Sequence, residues 1–214
     1  MTDIKPDYFV HDDLYKQARE AGWEGWGGHQ RMANAALVDR FFGLSGIPQQ
    51  GKLLELGCGE GHHCRLFAQH GYEVSGVDIS PTAIAWANEK AAETGCHGQF
   101  LVADLTNPCL KLPERYNIVI DGNCLHCIIG ADRAVFLMQV FHALETRGIF
   151  FVSSLCSKDN NNYQTDRDGL PYRHVASAEN LQAELKQAGF RVIKTRLYER
   201  EKFNHITVHA VKPG

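Results

Sequence analysis

The chain has little that marks a partner for polyanions, for a bilayer or for an oxidising compartment. Its 22 Lys and Arg are outnumbered by 25 Asp and Glu, for a formal net charge of -3 and a pI near 6.4. With no basic run in the sequence, neither nucleic acid nor an anionic membrane is an expected partner. No apolar stretch approaches the roughly 20 residues that cross a hydrocarbon core. The opening MTDIKPDYFVHDD lacks the basic-then-apolar order of a secretory leader, so a cytoplasmic protein is expected. Cysteine is present seven times, an odd number spread through apolar segments, which argues against a disulfide framework. His62-His63-Cys64 and Cys124-Leu125-His126-Cys127 carry soft-metal ligand types. Their spacing makes only one Cys-x2-Cys and no His-x3-His face, so no metal is expected.

What is present is a repeated change of period. Short apolar runs at 52–56, 72–77, 99–103, 116–121 and 148–155 alternate with helical stretches at 62–70, 81–94 and 132–144. That alternation is the trace of an α/β fold around a mostly parallel sheet. Ser80-Pro81 supplies an N-cap and a first helical residue, and Gly95 closes that helix. A helix at 177–188 and alternating runs at 190–197 and 205–211 predict a closing antiparallel pair. Upstream, helical patterns at 12–21 and 30–42 flank Gly22-Trp23-Glu24-Gly25-Trp26-Gly27-Gly28, either a hinge or a segment whose aromatics dock on a surface. One domain is expected: a helical cap over 1–50, a ligand-binding core over 51–155, a polar irregular lid over 156–176, and the closing helix and strands over 177–214.

The glycine-rich turn after the first strand reads Glu55-Leu56-Gly57-Cys58-Gly59-Glu60-Gly61. Such a turn opens backbone N–H groups toward a ligand and lets it approach closely. The second gap is one residue, not the two of a dinucleotide fingerprint, which disfavours a nicotinamide oxidoreductase. Two carboxylates beside the turn repel pyrophosphate and suit a cationic, phosphate-free nucleoside. Asp78, 21 positions after Gly57, ends the second strand where a carboxylate can accept ribose hydroxyls, or alternatively cap the next helix. Asp104 ends the third strand, where it can take an adenine amino proton or act as a cap, with Ile79 and Leu105 on either side of the ring.

Glu55 to Gly61, Asp78 and Asp104 together resemble the successive cofactor motifs of class I S-adenosylmethionine-dependent methyltransferases, over about Lys52 to Leu155. The small-molecule branch that includes tellurite-resistance and thiopurine methyltransferases is the nearest likeness. The resemblance implies a Rossmann-like, doubly wound seven-stranded sheet with one antiparallel strand and an N-terminal helical extension. It implies S-adenosylmethionine as cofactor and S-adenosylhomocysteine as product. It puts Gly57 and Gly59 under the methionine, Asp78 on ribose, and Asp104 and Leu105 on adenine, with Cys58 a small filler between the glycines. The extension would bring Trp23, Trp26, His29 and Arg31 to the same pocket, Arg31 being equally open to a surface role.

Methyl transfer needs the nucleophile held in line and water excluded; a base is optional for a soft nucleophile that arrives ionised. The end of the fourth strand, Asp121-Gly122-Asn123-Cys124-Leu125-His126, offers Asn123 and His126 for that role, although His126 is equally suited to a backbone-bonded core position. It departs from the Asn/Asp-Pro-Pro-Tyr tetrad of amide and DNA-amine enzymes. Tyr163, Asp168, Tyr172, Arg173 and His174 of the lid are candidate substrate contacts. The expected activity is methylation of a small molecule, with a sulfur, selenium or tellurium nucleophile in view. Alternatives are a non-catalytic cofactor-binding scaffold or sensor and an arsenite-type metalloid methyltransferase. Monomer and homodimer stay open.

Overall fold

The computed structural model describes residues 5–28 and 35–214. His29 and Arg31 therefore lie outside the described residues, as does the first part of the helix expected over 30–42. The elements are α1 (Val10–Glu20), α2 (Ala36–Phe42), β1 (Lys52–Leu56), α3 (His62–Gln69), β2 (Glu73–Asp78), α4 (Pro81–Thr94) and β3 (Gln99–Val102) in the first half. The second half holds β4 (Tyr116–Gly122), a single 3-10 turn (Leu125–Cys127), α5 (Asp132–Ala143), β5 (Leu144–Cys156), β6 (Tyr163–Arg167), β7 (Leu170–Val175), α6 (Ala178–Gln187), β8 (Arg191–Tyr198) and β9 (Asn204–Val211). The strands form the expected seven-stranded sheet in the order β3-β2-β1-β4-β5-β9-β8, with β9 antiparallel to both its neighbours. The chain divides into two compact units, residues 9–104 and residues 1–8 with 105–214.

In the 9–104 unit, β1, β2 and β3 are parallel, with Leu56 level with Val77 and Asp78 level with Val102, so their carboxyl ends finish together. Leu53, Leu54, Leu56 and Val77 of β1 and β2 are buried to within rounding of zero exposure, the near-continuous apolar reading of strands covered on both faces, and Phe67 of α3 is buried as fully. Ser80 caps α4 as its spacing predicts, its hydroxyl accepting the Ala83 N–H at 2.9 Å, and Gly95 ends it in the left-handed region. The N-terminal helix α1 is fixed to α4. Its Asp12 carboxylate accepts from the Ser80 hydroxyl (2.7 Å) and the Thr82 N–H (2.9 Å), and Arg19 forks onto Glu89 (2.7 and 3.2 Å) while lying over Trp86. Burial works to raise the Asp12 carboxyl, but the Lys16 ammonium and the hydrogen bonds from Ser80 and Thr82 outweigh it and hold the group below the usual range.

In the other unit, β4 and β5 are parallel and Phe150 of β5 meets Phe190, which meets Phe141 of α5. β5 begins at Leu144, four residues earlier than the apolar run at Gly148, because Tyr116 of β4 already pairs there. The Tyr8 hydroxyl donates to Asp132 at 2.9 Å and accepts the Ile129 N–H at 3.1 Å. The segment expected as an irregular lid is instead ordered as a β-hairpin. β6 and β7 pair from Tyr163↔Val175 to Arg167↔Leu170 around Asp168-Gly169, both at positive φ (52° and 80°). Two central residues at positive φ make the turn whose twist matches paired strands. Asn162 anchors the hairpin base by accepting the N–H of Ser177 and the amide of Asn180, both at 2.9 Å. Among the described residues, no helix is long and apolar enough to cross a membrane.

Candidate cofactor site and acceptor-side turn

The glycine turn owes its shape to three left-handed residues, Gly57, Gly59 and Gly61, at φ 60°, 56° and 72°. A Cβ on Gly59 would also run into the Tyr15 hydroxyl, a side chain of α1. The residues around the turn are tied to one another. The Cys58 N–H donates to the Val77 carbonyl (3.0 Å), and the Gly59 N–H donates to Asp78 Oδ2 (2.9 Å). The Ser80 N–H donates to the other Asp78 oxygen at 2.9 Å, so the carboxylate bridges the turn and the start of α4. Each oxygen keeps acceptor capacity for a further donor.

Glu55, Glu60 and Asp78 are 2%, 4% and 6% exposed, three buried carboxylates at one turn. Glu55 bonds the His63 ring (2.8 Å) and accepts from the Cys64 N–H (3.2 Å), capping α3. Glu60 accepts the Trp26 N–H at 3.3 Å. Burial pushes the Asp78 carboxyl up to about 6, against the N–H bonds from Ser80 and Gly59 and with the charges of Glu55 and Glu60 adding to the rise. Burial likewise raises the Cys58 thiol well above its ordinary value, with Asp78, Glu55 and Glu60 adding to it. Cys58 packs against Gly76, whose added Cβ would fall 2.6 Å from the sulfur, which accords with a filler and not a nucleophile.

Of the residues expected at the cofactor, Trp26, Glu55, Gly57, Cys58 and Gly59 line one cavity of about 20 Å³. Tyr15, Glu60, His62 and His63 complete the lining. Tyr15 and Trp26 close it, ring centroids 4.9 Å apart, in a cluster with Ala18, Ala83 and Trp86. Tyr15 was not legible in the sequence, since it reads as one apolar position of an amphipathic helix. Trp23 is 47% exposed and outside the cavity, so only the second tryptophan docks. Asp78 joins the turn through Gly59, Ile79 is half-buried beside it, and Asp104 is exposed just past β3.

In the other unit Leu105 is buried, and Asn123 takes a left-handed φ of 77° at the end of β4, donating its N–H to the Ser153 carbonyl at 2.9 Å. His126 is 6% exposed, with Nδ1 3.4 Å from the Ser154 hydroxyl. Its turn is held at both ends. Asp121 Oδ1 accepts the N–H groups of Cys124 (2.6 Å) and Leu125 (2.9 Å). Arg133 Nη1 donates to the carbonyls of Leu125 (2.7 Å) and Ile128 (3.1 Å), and the rest of its guanidinium forks onto Glu184 (2.5 and 2.8 Å). β7 packs on this turn. His174 of β7 is held below the ordinary imidazole range by burial and by the Arg133 charge, with Glu184 opposing. Tyr172 lies between the Arg167 and Arg173 guanidiniums, and Tyr163 is 41% exposed. Among the described residues, no three His, Cys, Asp or Glu side chains converge as a metal site.

A sheet in this order, with a left-handed glycine turn after β1 and an acid ending β2, defines the Rossmann-like class I S-adenosylmethionine-dependent methyltransferases. A family model described as a methyltransferase domain matches residues 26–195, and the chain belongs to that family, with S-adenosylmethionine as its cofactor. It is 38% identical over 80 residues to ribosomal RNA small subunit methyltransferase C of Alcanivorax borkumensis, covering 37% of this chain and 24% of that enzyme. It is 27% identical over 122 residues to an uncharacterized methyltransferase of Schizosaccharomyces pombe, covering 55% of this chain and 83% of that one. Among solved structures it is similar to Burkholderia thailandensis 1,6-didemethyltoxoflavin-N1-methyltransferase bound to its acceptor and S-adenosylhomocysteine. That likeness has TM-score 0.74 and 19% identity, over 96% of this chain and 88% of that one.

Proposed function

We propose that the chain methylates a small molecule, and that the glycine turn and Asp78 hold the cofactor. The observation that carries this is the trio of buried carboxylates, Glu55, Glu60 and Asp78, around a turn whose cavity lining holds no lysine or arginine among the described residues, the buried Arg65 guanidinium being engaged by the Glu60 backbone carbonyl. Taking three acids out of water is costly unless a positive partner arrives. A ligand with an ammonium and a sulfonium meets that need, and a pyrophosphate does not. Asp78 accepts the ribose hydroxyls, with Ile79, Asp104 and Leu105 at the base and Gly57, Cys58 and Gly59 under the methionine. Tyr15 and Trp26 leave room for about one water, so both rings shift as the cofactor enters. Trp23 is left as an outer contact, and Arg31, outside the described residues, is kept as a candidate for the cofactor carboxylate.

Bound S-adenosylmethionine supplies an electrophilic methyl group. The chain's part is to hold the acceptor and keep water away. Asn123 and His126 are assigned to acceptor positioning, with proton removal at His126 Nε2 where the nucleophile needs it. Tyr163, Tyr172, Arg173 and His174 of the hairpin are the proposed substrate contacts. The accepting atom is read as sulfur, selenium or tellurium, since such a nucleophile ionises near neutrality without a strong base. The 1,6-didemethyltoxoflavin named for the Burkholderia enzyme supports a small acceptor in general.

Calorimetry with S-adenosylmethionine and S-adenosylhomocysteine tests the reading. One-site binding by both, weakened at least tenfold in Asp78→Ala, is the expected result. It would be followed by aryl thiols, selenite and tellurite as acceptors, with S-adenosylhomocysteine release as the readout. Folded wild-type protein that binds neither ligand would sink the assignment of the site.

A further inference from the structure

The 3-10 turn after β4 holds a pair of thiols that the methyl-transfer reading leaves without a task. The Cys127 N–H donates to the Cys124 carbonyl at 2.8 Å, which closes one turn of chain from Cys124 to Cys127. At three residues per turn, side chains at i and i+3 eclipse, so the two Cβ atoms stand over one another on one face. Burial agrees: Leu125 and His126 between them are 0% and 6% exposed, whereas Cys124 and Cys127 are both partly exposed. Residues closing such a turn have Cα atoms less than about 7 Å apart, within the range that a disulfide spans. The backbone is also preset, because Asp121 and Arg133 hold the turn from both ends. At a rise of about 2 Å per residue the eclipsed positions are about 6 Å apart, so joining the sulfurs takes side-chain rotation and a local tightening that brings the two Cβ atoms to about 4 Å.

From this juxtaposition we propose that Cys124 and Cys127 form a redox-active dithiol that closes reversibly to a disulfide by exchange with a small-molecule disulfide. One thiolate of the pair attacks a sulfur of the small disulfide, forming a mixed disulfide and releasing one small thiol. The second thiolate attacks the protein sulfur of that mixed disulfide and releases the second small thiol. Two electrons pass to the small disulfide, the two protons end on the released thiols, and one S–S bond is exchanged for another. The remaining cysteines are differently placed. Burial raises the thiols of Cys58 and Cys64 well above the ordinary range, and that of Cys156 to about 11. Cys109 is exposed on the loop after β3, and Cys96 is half-buried just past the end of α4. Neither thiol belongs to the lining of the glycine-turn cavity, so the chemistry of the pair does not depend on the cofactor assignment.

The test uses the full chain, saturated with S-adenosylhomocysteine or, should that ligand not bind, as the folded apo protein verified by circular dichroism. The protein is equilibrated in reduced and oxidised glutathione buffers, quenched with an alkylating agent and digested with trypsin. The peptide Tyr116–Arg133 contains Cys124 and Cys127 and no other cysteine. In oxidising buffer it should become lighter by two hydrogens and resist alkylation, and it should regain both thiols in reducing buffer. Cys124→Ser and Cys127→Ser should each stop at one glutathione adduct on the remaining cysteine. A wild-type peptide that stays fully alkylated, or that carries glutathione adducts without the internal disulfide, would overturn the proposal. So would closure seen only after unfolding in denaturant.

Discussion

Asp78 shows how a single side chain can report its ligand. Its native carboxyl titrates at about 6, above the 3.8 of an unstrained group. The folded chain therefore keeps a proton that the unfolded chain has released between these values, and the ligand-free protein loses stability as pH rises through about 4 to 6. A cationic ligand favours the ionised form, so cofactor affinity should climb as pH rises through 6 and level off above 7. Calorimetry at pH 6 in two buffers of different ionisation enthalpy should reveal proton release on binding, absent in Asp78→Asn. Gly59 makes a second case. Alanine there meets a left-handed φ and the Tyr15 hydroxyl together. The variant should lose about 1–2 kcal/mol of stability, and its S-adenosylhomocysteine affinity should fall more than tenfold by the same calorimetry. The gathering of Glu55, Gly57, Gly59 and Asp78 at one turn was legible in the sequence because a turn and the strand beside it are local. Tyr15 and the Trp26–Glu60 bond were not, because they join positions 34 to 44 residues apart whose meeting no short pattern encodes.

At the scale of elements, the helices and buried strands followed their periods, while the hairpin β6–β7 escaped. Residues 164 to 168 are all polar, so the alternation that marks a half-buried strand is missing from its first strand. The signal that was available is Asp168-Gly169, a dipeptide suited to two successive positive φ angles. The bracing of the 3-10 turn by Arg133 was not legible, because Arg133 reads simply as a polar residue early in α5. Arg133→Met would leave Glu184 without its fork and the carbonyls of Leu125 and Ile128 without their donor. Loss of a buried hydrogen-bonded ion pair costs about 3 kcal/mol. Chemical denaturation should show a loss of that order, and hydrogen exchange at Leu125 to Ile128 should accelerate. Unchanged exchange there would refute the bracing role.

For the whole molecule, a ligand that binds the native chain alone must stabilise it. Ligand at one hundred times its Kd adds about 2.7 kcal/mol, and 1 kcal/mol moves Tm by about 2–4 °C for a chain of 150–250 residues. S-adenosylhomocysteine at that ratio should therefore raise Tm by about 5–10 °C, with a matching change in Trp26 fluorescence if the Tyr15 and Trp26 rings shift on entry. NADH at the same concentration should leave Tm unchanged, as expected for a turn with two carboxylates where a pyrophosphate would lie. The coarse architecture was the most legible property of all, since it rests on many weak local signals that agree.

The Tyr8 hydroxyl, bonded to Asp132 across 124 positions of chain, has a consequence for the order of events during synthesis. At roughly 5–20 residues per second, its partner follows it from the ribosome by about 6–25 seconds. Residues 9–104 are all synthesised before Asp132 appears. Tyr8 therefore leaves the ribosome well ahead of its hydrogen-bond partner and waits, unfastened, for a mate that has yet to be translated.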